Sequence, residues 1–277
     1  MKRALISILV LFVLAPFIYA QNFNGKETVR ELSIEKPDKK LNKNENLNYS
    51  VEWLGISVGK VSLHMDGIIK IDGVDCYLIS AKALPNAFFK KFYDFEYNVN
   101  TLIDGQTFLS RRFEKTRRIG KKSTTEIIDF DRKSNTVHYK AGKEAPVMPL
   151  SFDRQKLQQD IPQTCQLVPG DQDLFSALYY FRMADVKADE RISLNIYYAL
   201  RNWQVDAYVS RPYLQNFRKK GILTVFSVKL SSVLNRFVLG NQDIDVVFTA
   251  DSRRVPVLFK FGSGIGTFRG VLEELPK

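Results

Sequence analysis

Asp171-Gln172-Asp173-Leu174-Phe175-Ser176-Ala177-Leu178-Tyr179-Tyr180-Phe181-Arg182 is the one stretch that reads as a helix, in a chain whose other periodic segments read as strands. Pro169-Gly170 breaks the chain just before it. Asp171 or Asp173 can accept hydrogen bonds from the free N–H groups of the first turn, and Arg182 suits the electronegative far end. Leu174, Leu178 and Phe181 recur at i, i+4 and i+7 with Phe175 and Tyr179 beside them, so apolar side chains cover much of the circumference. A short helix of that kind must be covered, and the strands on either side of it are the available cover. The expected fold is mainly β: a strongly curved antiparallel sheet, or an open half barrel, of about a dozen strands with one central helix on the concave side.

Outward from the helix, the flanking segments carry the period of two that this fold needs. Upstream, Leu47, Tyr49, Val51 and Trp53 alternate with Asn48, Ser50 and Glu52. Gly59, Val61, Leu63 and Met65 share one face of a second strand, Asp72-Gly73 signals a tight turn, and Cys76 to Ala83 returns. Phe95, Tyr97, Val99, Thr101 and Ile103 alternate next. Leu109 to Arg118, Ser123 to Asp131 and Thr136 to Lys140 follow as a meander. Glu144 to Val168 has three prolines and reads as a connection between halves, with one helical turn at Gln155 to Gln159. Downstream, Ile192 to Tyr198, Asn202 to Ser210, Leu223 to Leu230, Ile244 to Phe248, Val257 to Phe261 and Thr267 to Leu272 form a second meander. No internal repeat is visible.

Residues 1–20 carry Met1-Lys2-Arg3, an apolar run from Ala4 to Ile18 and Ala20 as a small residue for cleavage. That is the pattern of a secretory signal peptide, and the run is shorter than the ~20 residues of a membrane-spanning helix. Residues 21–46 are rich in Lys, Glu and Asn and read as a flexible leader. Residues 47–275 then form a single β-rich domain. The chain has 277 residues and a net charge of +11, of which Lys2 and Arg3 supply only two. For an exported protein the acidic partners are anionic lipid, anionic glycan or another protein of the envelope, with peripheral membrane contact, and nucleic acid is excluded by the compartment. The two cysteines, Cys76 and Cys165, are a candidate disulfide in an oxidising compartment.

Two stretches stand out as candidate binding elements. Arg111, Arg112, Lys115, Arg117, Arg118, Lys121 and Lys122 crowd one segment against a single Glu114. Such charges can protect a sheet edge, solvate a surface or form an anion-binding patch. Phe88, Phe89 and Phe92 fall at i, i+1 and i+4 after Pro85, as a satellite core cluster, an aromatic lid over a cavity or a tip that touches lipid. Tyr179 and Tyr180 of the helix are further candidate lining residues.

Catalytic equipment is not recognisable, and neither a metal site nor a cofactor is expected. His64 and His138 each sit alone in a strand without a partner at metal-ligand spacing. No nucleophile elbow, zinc-protease pair or phosphate loop occurs. Gly262-Ser263-Gly264-Ile265-Gly266 joins two strands and reads as a turn. Asp129-Phe130-Asp131 and Asp243-Ile244-Asp245 pair carboxylates on strand faces, where strand-end solubility is their ordinary role.

Three features sit in a recognisable order: the opening strand with Tyr49, Trp53, Gly55 and Gly59-Lys60, the helix Gln172 to Arg182, and Thr249-Ala250-Asp251-Ser252-Arg253-Arg254-Val255-Pro256-Val257. Together they resemble an uncharacterised family of exported bacterial proteins, the domain-of-unknown-function family numbered 3108, over about Asn46 to Leu275. The resemblance implies a Gram-negative periplasm or cell envelope and a β-rich fold, and it carries over no catalytic residue. The expected shape also looks like the half barrel of periplasmic lipoprotein carriers. Binding or carriage of an amphipathic molecule, a lipid or lipid-linked glycan, is therefore the leading expectation. An envelope scaffold that binds a protein by a sheet edge is the alternative, and a hydrolase the third.

Overall fold

The structure is a computed structural model that describes residues 30–31, 41–142, 163–198, 201–231, 244–263 and 266–276. Its strands are β1 (Arg30–Glu31), β2 (Asn46–Trp53), β3 (Ile56–Ile71), β4 (Val74–Pro85), β5 (Phe95–Asp104), β6 (Ser110–Ile119), β7 (Lys122–Asp131), β8 (Thr136–Gly142), β9 (Gln163–Gln166), β10 (Arg191–Tyr198), β11 (Arg201–Val209), β12 (Tyr213–Phe217), β13 (Gly221–Ser231), β14 (Ile244–Thr249), β15 (Pro256–Ser263) and β16 (Gly266–Leu272). Two helices are described, α1 (Ala87–Lys90) and α2 (Leu174–Met183). Neither is long and apolar enough to cross a membrane.

All sixteen strands belong to one sheet. β2 to β9 form one antiparallel meander, and β10, β11, β13, β14, β15 and β16 form a second. The two halves join where β16 pairs antiparallel with β2, so the last strand sits beside the first long one. β12 pairs only with the first half of β13, and β1 lies parallel to β10. The path is open between β9 and the β10 edge that β1 partly covers. The segment leading into α2 crosses that opening, because Gln172 N donates to Asn195 O at 2.9 Å and Tyr197 N donates to Gln172 O at 2.8 Å.

The strands form where the period of two is clean. Leu47, Tyr49 and Val51 are buried and Asn46 and Asn48 are exposed, as the alternation predicts. Asp72 and Gly73 both have positive φ, 50° and 81°, which is the backbone of a tight hairpin turn that Asp-Gly adopts at little cost. Gly59 serves a close approach: a Cβ there would lie 2.5 Å from the Leu84 carbonyl oxygen.

The core explains the curvature. One apolar cluster joins β2, β4 and β5 to β13, β14 and β15, with Phe175 and Leu178 of α2 against it. A second joins Ala177 and Phe181 of α2 to β10, β11, β13 and β14. A third joins Tyr179 and Met183 to β3, β4 and β5. The helix is common to all three, so the sheet bends around it to bury its circumference, each buried apolar side chain contributing about 1.5–3 kcal/mol.

Some details differ from the sequence reading. β1, β9 and β12 lie in stretches that read as leader, connection and break, because each is too short or too polar to show an alternation. The leader is not free of the fold to its end: Leu41 and Glu45 are buried. The signal-peptide reading of residues 1–20 and the helical turn at Gln155 to Gln159 lie outside the described residues.

Candidate functional site

The helix is fixed at both ends by buried polar contacts. Asp173 is its N-cap, and Oδ1 accepts from Phe175 N at 2.7 Å and Ser176 N at 3.0 Å. Oδ2 accepts from Thr101 Oγ1 on β5 and Ser110 Oγ on β6, each at 2.6 Å. One carboxylate thus caps the helix and fixes it to two wall strands. Arg132 donates to the backbone oxygens of Ser110 and Asp171, and burial pulls its guanidinium down to about 10. Burial also pushes the Asp171 carboxyl up to about 6, against the opposing pull of the Val168 N–H and the Arg132 charge. At the other end, Arg182 makes a buried two-point ion pair with Glu45, at 2.5 and 2.8 Å, and stands 5.2 Å over the Tyr179 ring.

Between α2 and the concave wall lies an apolar cavity of about 200 Å³. The helix contributes Leu174, Phe175, Ala177, Leu178 and Phe181. The wall contributes residues such as Val61, Leu63, Val99, Leu194, Phe259 and Phe261. Leu174, Phe175, Leu178, Val61, Tyr198 and Phe259 are only partly buried although they face inward, so the void is left by incomplete filling of the barrel. A cavity of ~150 Å³ with such walls already accepts a benzene-sized guest, whereas whole drug-sized ligands use ~300–1,000 Å³.

The residues singled out in the sequence fall in different places. Tyr179 and Tyr180 do not line the cavity: Tyr179 packs toward β3, β4 and β5, and Tyr180 toward the β10 side. The neighbouring helix positions line it instead, because the helix is apolar on all sides and sequence alone does not say which side is left unfilled. Phe88 and Phe92 are exposed, at 61% and 75%, and form a tip on α1 with the exposed Lys90 and Lys91. Asn86 caps this helix by accepting from Phe89 N at 2.8 Å. Phe89 is the half-buried foot of the tip, packing on Val51, Val58 and Phe268 and on Phe261, which also lines the cavity. Leu54 belongs to the adjacent β2–β3 turn, has φ 49° and is 64% exposed, where a turn would ordinarily place Asn or Gly.

The basic stretch is not one free anion patch, which corrects the sequence reading. Arg111 binds Asp104 at 2.6 Å, Arg112 lies 3.4 Å from Asp129, and Lys115 binds Glu126 at 2.7 Å. Arg118 binds Asp94 at 3.0 Å and Glu96 at 3.5 Å. The reason is register: Arg112 faces Asp129 and Lys115 faces Glu126 directly across the β6–β7 pair. Arg117 makes no ion pair among the described residues and lies across β5–β6 from Tyr97. The proposed disulfide is not formed either. Cys76 is a buried free thiol on β4, separated by four intervening strands from β9, which carries Cys165. Burial, aided by the Asp104 charge, pushes the Cys76 thiol up to about 11.

Among the described residues, His64, Asp66 and Ser80 come together but not in the order of a nucleophilic triad. His64 lies 3.5 Å from Asp66, and Ser80 donates to the same carboxylate. Asp66 sits between the other two, whereas nucleophile activation needs the imidazole in the middle. Among the described residues no group of His, Cys, Asp and Glu could hold a metal ion. Asp129 is taken up by Arg112, and Asp131 accepts from the turn amides of Lys133 and Ser134.

A curved antiparallel sheet, open along one seam and wrapped on a helix with an unfilled apolar interior, makes this a β-barrel-like protein. The chain belongs to the DUF3108 family, proteins of unknown function, with the match running over residues 48–273. No curated protein matches the sequence. Among solved structures, the chain is similar to the crystal structure of a beta-barrel-like protein of domain of unknown function DUF1849 from Brucella abortus. That likeness has a TM-score of 0.54 at 9% identity and covers 83% of this chain and 96% of the other. At that identity it speaks to the fold alone.

Proposed function

We propose that this protein binds a single-chain amphipathic molecule, a lipid or lipid-linked glycan, in the cavity against α2, and does so in the bacterial cell envelope. The observation that carries the reading is the apolar cavity itself, bounded by half-buried Leu174, Phe175 and Leu178. Its size suits one hydrocarbon chain or part of one, not a diacyl pair. The tip of Phe88, Phe92 and Leu54, with Lys90 and Lys91 beside it, supports contact with an anionic membrane surface, and its foot Phe89 is continuous with the cavity wall. The signal-like residues 1–20 support the compartment. The test is native mass spectrometry with lipid extraction on protein purified from its own envelope fraction, alongside Leu178→Trp, which fills the cavity from the helix. A stoichiometric amphipathic adduct that Leu178→Trp loses, with the melting temperature kept, is the expected result. An apo mass for the native protein, with no uptake of added single-chain lipid, would overturn the proposal.

A second reading is favoured by one observation. The outer edge of β12 is unpaired among the described residues, and Leu214 and Ile222 stand 71% and 67% exposed on this hairpin. A partner strand could add there, which is the scaffold alternative.

A further inference from the structure

Resting on that cavity reading, we propose that Arg117, with the hydroxyls of Tyr97 and Tyr93, receives the anionic head of the bound molecule, which is therefore a single-chain amphipath ending in a carboxylate or phosphate. Register places these groups. Tyr97 and Val99 line the cavity, and their direct partners on β6 are Arg117 and Lys115. Directly opposed residues in an antiparallel pair point to the same face, so both cations lie on the inward face of β6, next to the cavity-lining Tyr97 and Val99. Lys115 is already neutralised by Glu126 at 2.7 Å. Arg117 makes no ion pair among the described residues and is only half-buried, so its charge is available.

The tyrosines supply an independent sign of a missing polar partner. Tyr97 is 1% exposed and lines the cavity, and its buried hydroxyl and that of Tyr93 have only each other and the Arg117 guanidinium near them, with no well-formed hydrogen bond. A buried hydroxyl with only a poorly formed hydrogen bond loses more in solvation than it regains. Desolvation raises both phenols, and the Arg117 charge acts in the opposite sense on each, which places the guanidinium beside them. Two weakly engaged hydroxyls and a guanidinium without a carboxylate partner, gathered beside the cavity-lining Tyr97, match an oxyanion at the end of a hydrocarbon chain. The rest of the Arg111 to Arg118 stretch has no such role, because its other cations have carboxylate partners.

The test uses the full mature chain and the fluorescence of cis-parinaric acid and its methyl ester. The acid carries the charge and the ester does not, while the chain is the same. The native protein is expected to bind the acid about 10-fold or more tighter than the ester, the range of one charged hydrogen bond. Arg117→Gln should erase most of that preference by weakening the acid far more than the ester, and Arg117→Lys should keep part of it. Decyl phosphate in competition separates the two head chemistries, and displacement sensitive to Arg117→Gln extends the site to phosphate. Equal binding of acid and ester by the native protein, with neither altered in Arg117→Gln, overturns the head assignment and leaves the cavity reading standing. Binding of neither probe overturns both. If Arg117→Gln unfolds, the preference shown by Arg117→Lys decides.

Discussion

Asp173→Ala tests whether one carboxylate seats the helix around which the sheet bends. The side chain accepts four hydrogen bonds, from two first-turn amides and from the hydroxyls of Thr101 and Ser110. Loss of an N-cap costs about 1 kcal/mol. Each hydrogen bond to a charged acceptor contributes about 1.5–3 kcal/mol, and the two hydroxyls are buried. Ser110 keeps Ser176 Oγ at 2.6 Å as a partner, which favours the low end. The expected loss is about 4 kcal/mol, a large part of the ~5–15 kcal/mol that holds a domain together. Urea unfolding followed by circular dichroism reads it as a lower midpoint at unchanged slope. Asp173→Asn is the control: its oxygen can still take the two amides, and the hydroxyls can rotate to accept from its NH2, so it should cost about 1–2 kcal/mol. If Asp173→Ala falls within 1 kcal/mol of the native protein, a threshold far below the two hydroxyl terms, the cap does not seat the helix.

Two further outcomes follow from other parts of the structure. Asp171 is pushed up to about 6 in the fold from an unfolded value of ~3.9, so the folded state binds the extra proton between those limits; its own contribution to stability should be full below about pH 4, fall by roughly 1–3 kcal/mol as pH rises through 6, and stay level above. Asp171→Asn should flatten that slope in melting curves taken from pH 4 to 7, and an unchanged slope would show that another group carries it. Phe88→Ser with Phe92→Ser removes two exposed rings from the α1 tip, and with roughly 1 kcal/mol of interfacial burial lost per ring, sedimentation with anionic phosphatidylglycerol vesicles should weaken about 10-fold or more at unchanged melting temperature; full retention of vesicle binding would remove the tip from the account.

Much of the architecture was legible from local chemistry. Alternation at Leu47 to Trp53 or Phe95 to Ile103 reports a strand because side chains in a strand alternate faces, a property of each residue and its neighbours. The cap at Asp173 and the turn at Asp72-Gly73 are equally local. Recognition of the family rested on the order of such signals, and the match over residues 48–273 agrees with it. The candidate site was legible only in part. The Phe88 to Phe92 tip was visible as an aromatic cluster, but the cavity-lining side of α2 was not, since Tyr179 and Leu178 are both apolar positions of one greasy helix.

What the sequence by itself determined is the set of elements, the turn chemistry and a helix that had to be enclosed. Only the tertiary structure decided which cations are free. Arg112 and Lys115 are neutralised by Asp129 and Glu126 because register across β6 and β7 sets those residues face to face. Arg117 instead meets Thr124 on one side and Tyr97 on the other. It likewise decided that Cys76 stays a thiol and that the barrel keeps a void. Such outcomes depend on residues far apart in the chain meeting in space, and no local period records which of them will meet.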